Sequence, residues 1–286
     1  SMPSGPPRSS ARPRAPRVRL DQLLVERGLA ETRSRAQALL LGGHVRVGLG
    51  DAARFDRKPG ELVDAGLALE VAVPLPYVSR GGQKLAAALD AFEVDPAGRV
   101  CLDAGASTGG FTDVLLQRGA VRVHAVDVGR GQLATALAGD RRVVVHDRVN
   151  ARYLEPAVLG EWASLAVIDV SFISLGLVLG PVAACLAPGG RIVALVKPQF
   201  EAGRGEVPGG VVHDPAVHRA VLERVLATAR SAGLVPLDVV RSALLGPAGN
   251  REFFVHLGLP GGPAPDGATS EERPDLPARV AECTAA

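Results

Sequence analysis

Apolar positions change their period near residue 80. Before that point Leu20, Leu23 and Leu24, and then Ala36, Leu39 and Leu40, recur at helical spacing. Gly28 and the pair Gly42-Gly43 stop the two runs, and Thr32 stands where it caps the second helix. His44–Val47, Glu61–Val63 and Ala68–Val73 read as short β segments. Beyond residue 80 strand-like runs fall at Val100–Asp103, Val121–Asp127, Val143–His146, Leu165–Val170, Arg191–Lys197, Leu234–Val240 and Glu252–Leu257. Helical segments separate them at Gly110–Arg118, Gly131–Ala138, Ile173–Leu186 (with Pro181 as a kink or break) and Pro215–Ala232. The last has Asp214 as N-cap, Pro215 at its first position and Gly233 as its stop. Alternation of this kind predicts an α/β fold, a doubly wound, mostly parallel sheet of seven strands behind a small α+β module.

The predicted organisation is a disordered basic tail over 1–17, a module over 18–74 and a Pro-containing linker over 75–79. The large domain covers 80–258, and a flexible Gly-, Pro- and acid-rich tail, with at most one short terminal helix, covers 259–286. The charge is uneven. Residues 1–80 hold 13 Lys/Arg against 8 Asp/Glu, while the remainder holds 19 against 22. A basic front on a nearly neutral body points to a polyanionic partner, nucleic acid first. No apolar run approaches the roughly 20 residues of a membrane span, and none near the N-terminus has the form of a secretory signal. Cys101, Cys185 and Cys283 lack metal-ligand spacing and suit a reducing cytoplasm, the expected location.

The chemistry gathers at the predicted strand ends, where doubly wound sheets bind ligands. The first strand of the large domain runs into LDAGASTGGFTD, residues 102–113. Its candidate ligand contacts are Asp103, Gly105, Ser107, Gly109, Gly110 and Phe111, with the glycines allowing a tight turn and close backbone approach. Asp127 ends the next strand, placed for ribose hydroxyls, and Asp147 follows the third, placed beside an adenine. The run matches neither G-x-G-x-x-G nor a phosphate loop, so an adenosyl ligand without phosphates fits best: S-adenosylmethionine, ahead of a nicotinamide cofactor. Only three of the 32 basic residues are lysines, Lys58, Lys84 and Lys197, in a chain that otherwise uses arginine. Lysine can lose its proton inside a protein and arginine cannot. Lys84, Asp169 (ending AVID), Lys197 (ending IVALVK) and Glu252 (opening EFFVHL) are all set near strand ends or the helix before the first strand. They are the candidate catalytic set.

The order Lys84, Asp169, Lys197, Glu252 resembles the Lys-Asp-Lys-Glu tetrad of FtsJ-like ribose 2'-O-methyltransferases. The strings YVSRGGQKL, CLDAGASTGGFTDVLL, SFISL, LVKPQFE and GGVVHD resemble the TlyA family, often labelled hemolysin, over residues 18–257. The resemblance implies a Rossmann-like methyltransferase domain behind an RNA-binding domain of the ribosomal-protein type. It further implies S-adenosylmethionine as cofactor, ribosomal RNA or ribosomal subunits as partner, and methylation of cytidine 2'-hydroxyls. Arg19, Arg33, Arg35, Arg46, Lys58 and Arg80 are then the candidate RNA contacts. Where the family often has Arg-x-Trp-Val, this chain has Leu75-Pro76-Tyr77-Val78.

The expected mechanism makes Lys197 the proton acceptor, with Asp169 orienting it and Glu252 orienting Lys84 or the ribose. A free lysine, with a pKa of about 10.4, is almost wholly charged near neutrality; burial and the neighbouring cation Lys84 act to lower that value, and the carboxylates Asp169 and Glu252 oppose them. No metal is expected: His213, Asp214 and His218 form no ligand set, and Asp214 is better used as a helix cap. The competing readings are a non-enzymatic ribosome-assembly factor, a membrane-active hemolysin and a nicotinamide oxidoreductase.

Overall fold

Backbone groups buried with the apolar runs must pair with one another, and the two halves of the chain solve this differently. The computed structural model describes residues 16–71, 77–261 and 271–286. The chain divides into two units, Ser1–Pro74 and Leu75–Ala286.

In the first unit β1 (Arg17–Arg19), α1 (Leu20–Glu26), α2 (Arg33–Leu41), β2 (Val45–Val47), β3 (Leu62–Asp64) and β4 (Leu69–Val71) follow in order. β1 pairs antiparallel with β3, and β2 with β4. Leu20, Leu23 and Leu24 of α1 meet Ala36, Leu39 and Leu40 of α2 over Val45, Val47 and Val63, as the helical spacing predicts. Thr32 Oγ1 accepts from the Arg35 amide at 3.1 Å, which caps α2. The predicted disordered tail differs at its end, because Arg17 is drawn into β1 opposite Asp64. Residues 1–15 of that tail lie outside the described residues.

The second unit contains α3 (Arg80–Phe92), β5 (Val100–Ala104), α4 (Gly110–Gln117), β6 (Arg122–Asp127), α5 (Thr135–Ala138) and β7 (Val143–Asp147). After these come α6 (Pro156–Leu159), β8 (Ala163–Ile168), α7 (Gly176–Ala183), β9 (Leu186–Val196) and α8 (Pro198–Glu201). The chain closes with α9 (Pro215–Ser231), β10 (Val235–Arg241), β11 (Phe253–Gly258) and α10 (Leu276–Thr284). The strands form one seven-stranded sheet in the order β10-β11-β9-β8-β5-β6-β7. Pairs among β5 to β9 are parallel, and only those made by β11 are antiparallel.

Alternation within the strands builds two cores, because successive side chains leave a sheet on opposite faces. Cys101, Val193 and Leu195 pack with Leu85 and Leu89 of α3 and Val114 and Leu115 of α4. Leu102, Ile192 and Ala194 pack with Val178 of α7 and Val221 and Val225 of α9. The central strand β5 has β6 on one side and β8 on the other. Successive strands therefore run outward in both directions from β5, which opens a crevice at its carboxyl end.

Three expectations are corrected. Tyr77 and Val78, read as linker, pack on the second unit: a Cβ on Gly82 would lie 2.5 Å from the Tyr77 Cβ, and the Val78 amide donates to Asp113 Oδ2 at 2.8 Å. Leu75 and Pro76 of that linker lie outside the described residues. The flexible tail over 259–286 contains α10, whose Leu276 and Val280, one turn apart, are buried against the core that holds α9. Arg279 grips Asp238 through two hydrogen bonds of 2.9 and 3.1 Å; residues 262–270 lie outside the described set. The helix expected over 173–186 is confined to α7, with Pro181 inside it rather than ending it.

Candidate active site

At the carboxyl ends of β5, β6 and β8 a cavity of about 280 Å³ opens, lined among others by Gly105, Ser107, Asp127, Asn150, Asp169 and Phe172. The glycine run after β5 forms one wall. Gly105 has φ 86°, and a Cβ there would stand 2.0 Å from the Asp169 carbonyl oxygen, so this turn lies hard against the end of β8. The Ser107 amide donates to Asp127 Oδ2 at 2.7 Å and the Gly129 amide to Oδ1 at 2.8 Å. Two backbone donors thus fix the Asp127 carboxylate at the cavity edge while each oxygen keeps a lone pair.

The remaining predicted cofactor contacts lie elsewhere. Asp103 is fully buried and accepts from Thr112 Oγ1 of α4 at 2.7 Å; burial pushes its carboxyl up to about 7. Gly109 and Gly110 are packed closely against protein. A Cβ on Gly109 would meet Leu137 at 2.4 Å, and one on Gly110 would meet Ser79 Oγ at 2.0 Å. Phe111 is a core residue, its ring 6.2 Å from that of Phe254. Asp147 is exposed next to Asp127 in register and accepts from the Gly131 amide at 3.2 Å, outside the cavity lining. Sequence reading missed Val128, Val149 and Asn150, which complete the wall. Asn150 was the accessible one, since it follows the third strand and its side chain turns back to accept from the Arg152 amide at 3.0 Å.

The four ionisable candidates form two pairs. Asp169 follows β8 and Lys197 follows the parallel neighbour β9, so both emerge at one rim with Lys197 Nζ 2.5 Å from Asp169 Oδ1. Ser171 Oγ lies 3.0 Å from the same ammonium. Phe253 of β11 pairs with Val196 of β9, which brings Glu252 alongside Lys197. Glu252 Oε1 accepts from Lys84 Nζ of α3 at 2.7 Å, and its Oε2 accepts from Gln199 Nε2 at 3.1 Å. The Glu252 side chain is 0 % exposed and the Asp169 side chain 28 %. Ser171 and Gln199 were not singled out in the sequence, although both stand two residues beyond a predicted site residue. Phe172 was missed as well. It lines the cavity, is 89 % exposed, has φ 61° and sets its ring 4.7 Å from that of Phe200, tilted by 51°. A bulky residue in the left-handed region costs of order 1–3 kcal/mol, a strain that collects at functional sites.

The candidate RNA contacts of the first unit separate by partner. Arg19 donates to both oxygens of buried Asp21 at 3.1 and 3.0 Å, Arg33 to Oδ2 at 3.0 Å and Gln37 to Oδ2 at 2.8 Å. These donors, Arg19 foremost, hold the Asp21 carboxyl far below the usual range. Arg46 reaches the Gly50 carbonyl at 3.3 Å and Glu70 at 3.8 Å. Arg35 and Lys58 are exposed and form no ion pair among the described residues. Arg80 is exposed at the start of α3, in the second unit. Asp214 caps α9 by accepting from the Ala216 amide at 2.9 Å, and His218 Nε2 bonds the Val212 carbonyl at 2.9 Å.

Known proteins share both units. The FtsJ-like methyltransferase family matches residues 77–259, and the S4 domain matches residues 18–48. The chain is 49% identical to the 16S/23S rRNA (cytidine-2'-O)-methyltransferase TlyA of Mycobacterium tuberculosis, over 85% of this chain and 90% of that one. It is 36% identical to Hemolysin A of Brachyspira hyodysenteriae, over 84% of this chain and 99% of the relative. A solved structure named as a hemolysin, from Streptococcus thermophilus, matches with a TM-score of 0.71 at 42% identity and covers 94% of each chain. Among the described residues no helix is long and apolar enough to cross a membrane.

Proposed function

The chain belongs to the FtsJ-like methyltransferase family, in its TlyA branch of ribosomal RNA cytidine-2'-O-methyltransferases, and on that premise we propose how its residues do this work. The reaction moves a methyl group from S-adenosylmethionine to a cytidine 2'-hydroxyl of ribosomal RNA in the cytoplasm, with ribosomal subunits as the partner. The observation that carries the reading is the pair Lys197–Asp169 at the cavity rim, with Glu252, held by Lys84 and Gln199, alongside Lys197 in register.

The cavity suits this cofactor by charge. Its ionisable lining residues are Asp127 and Asp169, and Lys197 stands 2.5 Å from Asp169 Oδ1. Asp127 forms no ion pair among the described residues, so a pyrophosphate would meet its uncompensated charge, whereas a ligand carrying a sulfonium and an ammonium is matched. Asp127 would hold ribose hydroxyls, with Ser107 and Asn150 beside it. S-adenosylmethionine supplies an electrophilic methyl group on a positively charged sulfur. The hydroxyl it meets is a weak nucleophile, so holding the ribose in attack geometry supplies much of the rate. Lys197 takes the hydroxyl proton as the new O–C bond forms, and Asp169 keeps its amine aimed at that oxygen. Lys84, fixed by Glu252, places a cation behind the same oxygen. Phe172 offers an exposed ring on which the base of the target nucleotide can stack.

In the first unit Arg35, Lys58 and the outward nitrogens of Arg19 and Arg33 would meet phosphates. Arg46 would add a further contact, and Arg80 would do so from the second unit. The test is methyl transfer from labelled S-adenosylmethionine to each ribosomal subunit, followed by mapping of the modified ribose; cytidine is the expected site. Lys197→Arg keeps the charge but cannot act as a base at neutral pH, so turnover is expected to vanish while cofactor still binds. Turnover close to that of the unaltered protein would remove Lys197 from this role.

A further inference from the structure

We propose that the short helix α8 is the positioning element of the reaction, with Gln199 and Glu201 fixing both lysine–carboxylate pairs without touching the reacting atoms. The inference rests on the methyl-transfer reading above and adds two residues to it. Four side chains at this helix, in the string KPQFE, each hold a different part of the site. Lys197 reaches Asp169 and Ser171. Gln199 donates to Glu252. Phe200 carries the ring of Phe172. Glu201 Oε2 accepts from Ser174 Oγ at 2.9 Å and its Oε1 from the Leu175 amide at 2.6 Å. The segment 169–175 is therefore pinned at both ends by residues of one turn, and the same turn holds Glu252.

The residue types make sense only through what they hold. A four-residue helix is far below the length at which helical hydrogen bonds stabilise themselves, so its side-chain ties must fix its place. Pro198 presets its first turn, and Arg224 of α9 donates to the Glu201 carbonyl at 2.9 Å. Both polar side chains also carry a cost. Burial pushes the Glu201 carboxyl up, and Gln199 Oε1 is buried without a hydrogen-bond donor among the described residues. Apolar residues would pack there more cheaply, but they would release the Ser174–Leu175 corner and Glu252. A wall on the far side completes the clamp, since a Cβ on Gly246 would stand 2.3 Å from Glu252 Oε2.

The experiment compares Gln199→Glu, Gln199→Met and Glu201→Gln in the full chain, with kcat, KM for cofactor and RNA, and thermal stability followed from pH 6 to 8.5. Gln199→Glu sets a second carboxylate against Glu252, and two carboxylates in one site repel until one takes a proton. Its kcat should fall about 30-fold at pH 8 with both KM values within about threefold, the mark of a lost transition-state placement. The variant-to-parent ratio should then recover about fivefold or more towards pH 6. Gln199→Met should lose about tenfold in kcat with no recovery on acidification. Glu201→Gln keeps one acceptor, so kcat should drop about threefold to tenfold while amide exchange at Leu175 speeds up. Unchanged kcat in Gln199→Met, or kcat losses matched by equal rises in KM with no pH contrast, would overturn the proposal. So would unaltered exchange at Leu175 in Glu201→Gln, a readout that needs no substrate. Absence of methyl transfer by the parent protein would instead remove the functional reading and leave the exchange result to judge the clamp.

Discussion

Two lysine–carboxylate pairs stand beside each other at the ends of β9 and β11, and water reaches them differently. Asp169 lines the cavity and stays partly exposed beside Lys197. Glu252 is sealed between Lys84, Gln199 and the backbone of Gly246. A buried pair is held by partners that cannot be replaced by solvent, so removing one strands a charge; a pair at a cavity edge can recruit water. The same chemical couple thus has a structural obligation in one place and freedom to meet a ligand in the other. On the proposed reading, the difference suits Lys197–Asp169 to the reacting atoms and Lys84–Glu252 to the frame behind them.

The largest effect should separate the pairs outright. Glu252→Ala removes the fully buried partner of Lys84, whose side chain is only 12 % exposed, and should cost about 3 kcal/mol in urea unfolding. Asp169→Asn should cost about 1 kcal/mol or less, yet lower methyl transfer by about 100-fold or more. Equal losses of stability in the two variants would erase the distinction. A third acid sharpens it. Asp103 is as buried as Glu252 but has no ion-pairing cation among the described residues, and burial pushes its carboxyl up to about 7. A folded-state value above the unfolded one means that the fold binds this proton more tightly. Its contribution is therefore most favourable below about pH 4 and is lost as pH rises towards 7. Asp103→Asn should flatten that slope and be the more stable protein at pH 8, by up to about 3 kcal/mol in paired denaturant titrations.

Next comes the wall of the sealed pair. Gly246→Ala forces its methyl group onto Glu252 Oε2 and should cost about 1–3 kcal/mol, with a fall in kcat, whereas an alanine at exposed Gly205, which meets nothing within 4 Å, should do neither. The smallest effect concerns the first unit, where Asp21 already engages Arg19 and Arg33. Arg35→Ala should weaken RNA binding uniformly and lower the salt slope by about one ion. Arg19→Ala should add a loss of stability, because it strips a donor from buried Asp21. Filter binding across salt concentrations, run beside thermal melts, distinguishes the two.

How much of this was legible follows from the range of each interaction. Six of the seven strands were readable to within two residues because alternation and apolar runs are local, while β9 starts at Leu186 rather than at the predicted Arg191. Lys197 and Asp169 could be placed on one rim from the alternation alone. Gln199, Glu201 and Phe172 were not legible, since a glutamine, a glutamate and a phenylalanine beside a strand end look like any loop residues. Their roles come from contacts made across 26 to 53 positions of chain. The glycine run could be read two ways, because close packing of protein on protein and close approach of a ligand both demand a missing Cβ. The tail was read as loose from its flanking Pro, Gly and acids, while Leu276 and Val280 were enough to dock a short helix.

By itself the sequence determined the order of elements, the face each presents to a core and the strand ends on which the ionisable residues fall, because these depend on periods of two and 3.6 residues. Tertiary structure alone decided which acids stay wet. Lys84 and Glu252 are 168 residues apart, and Asp103 and Asp127 end adjacent strands with opposite fates. Burial is set by strand order and by what packs over each end, and neither is written in any local stretch of the chain.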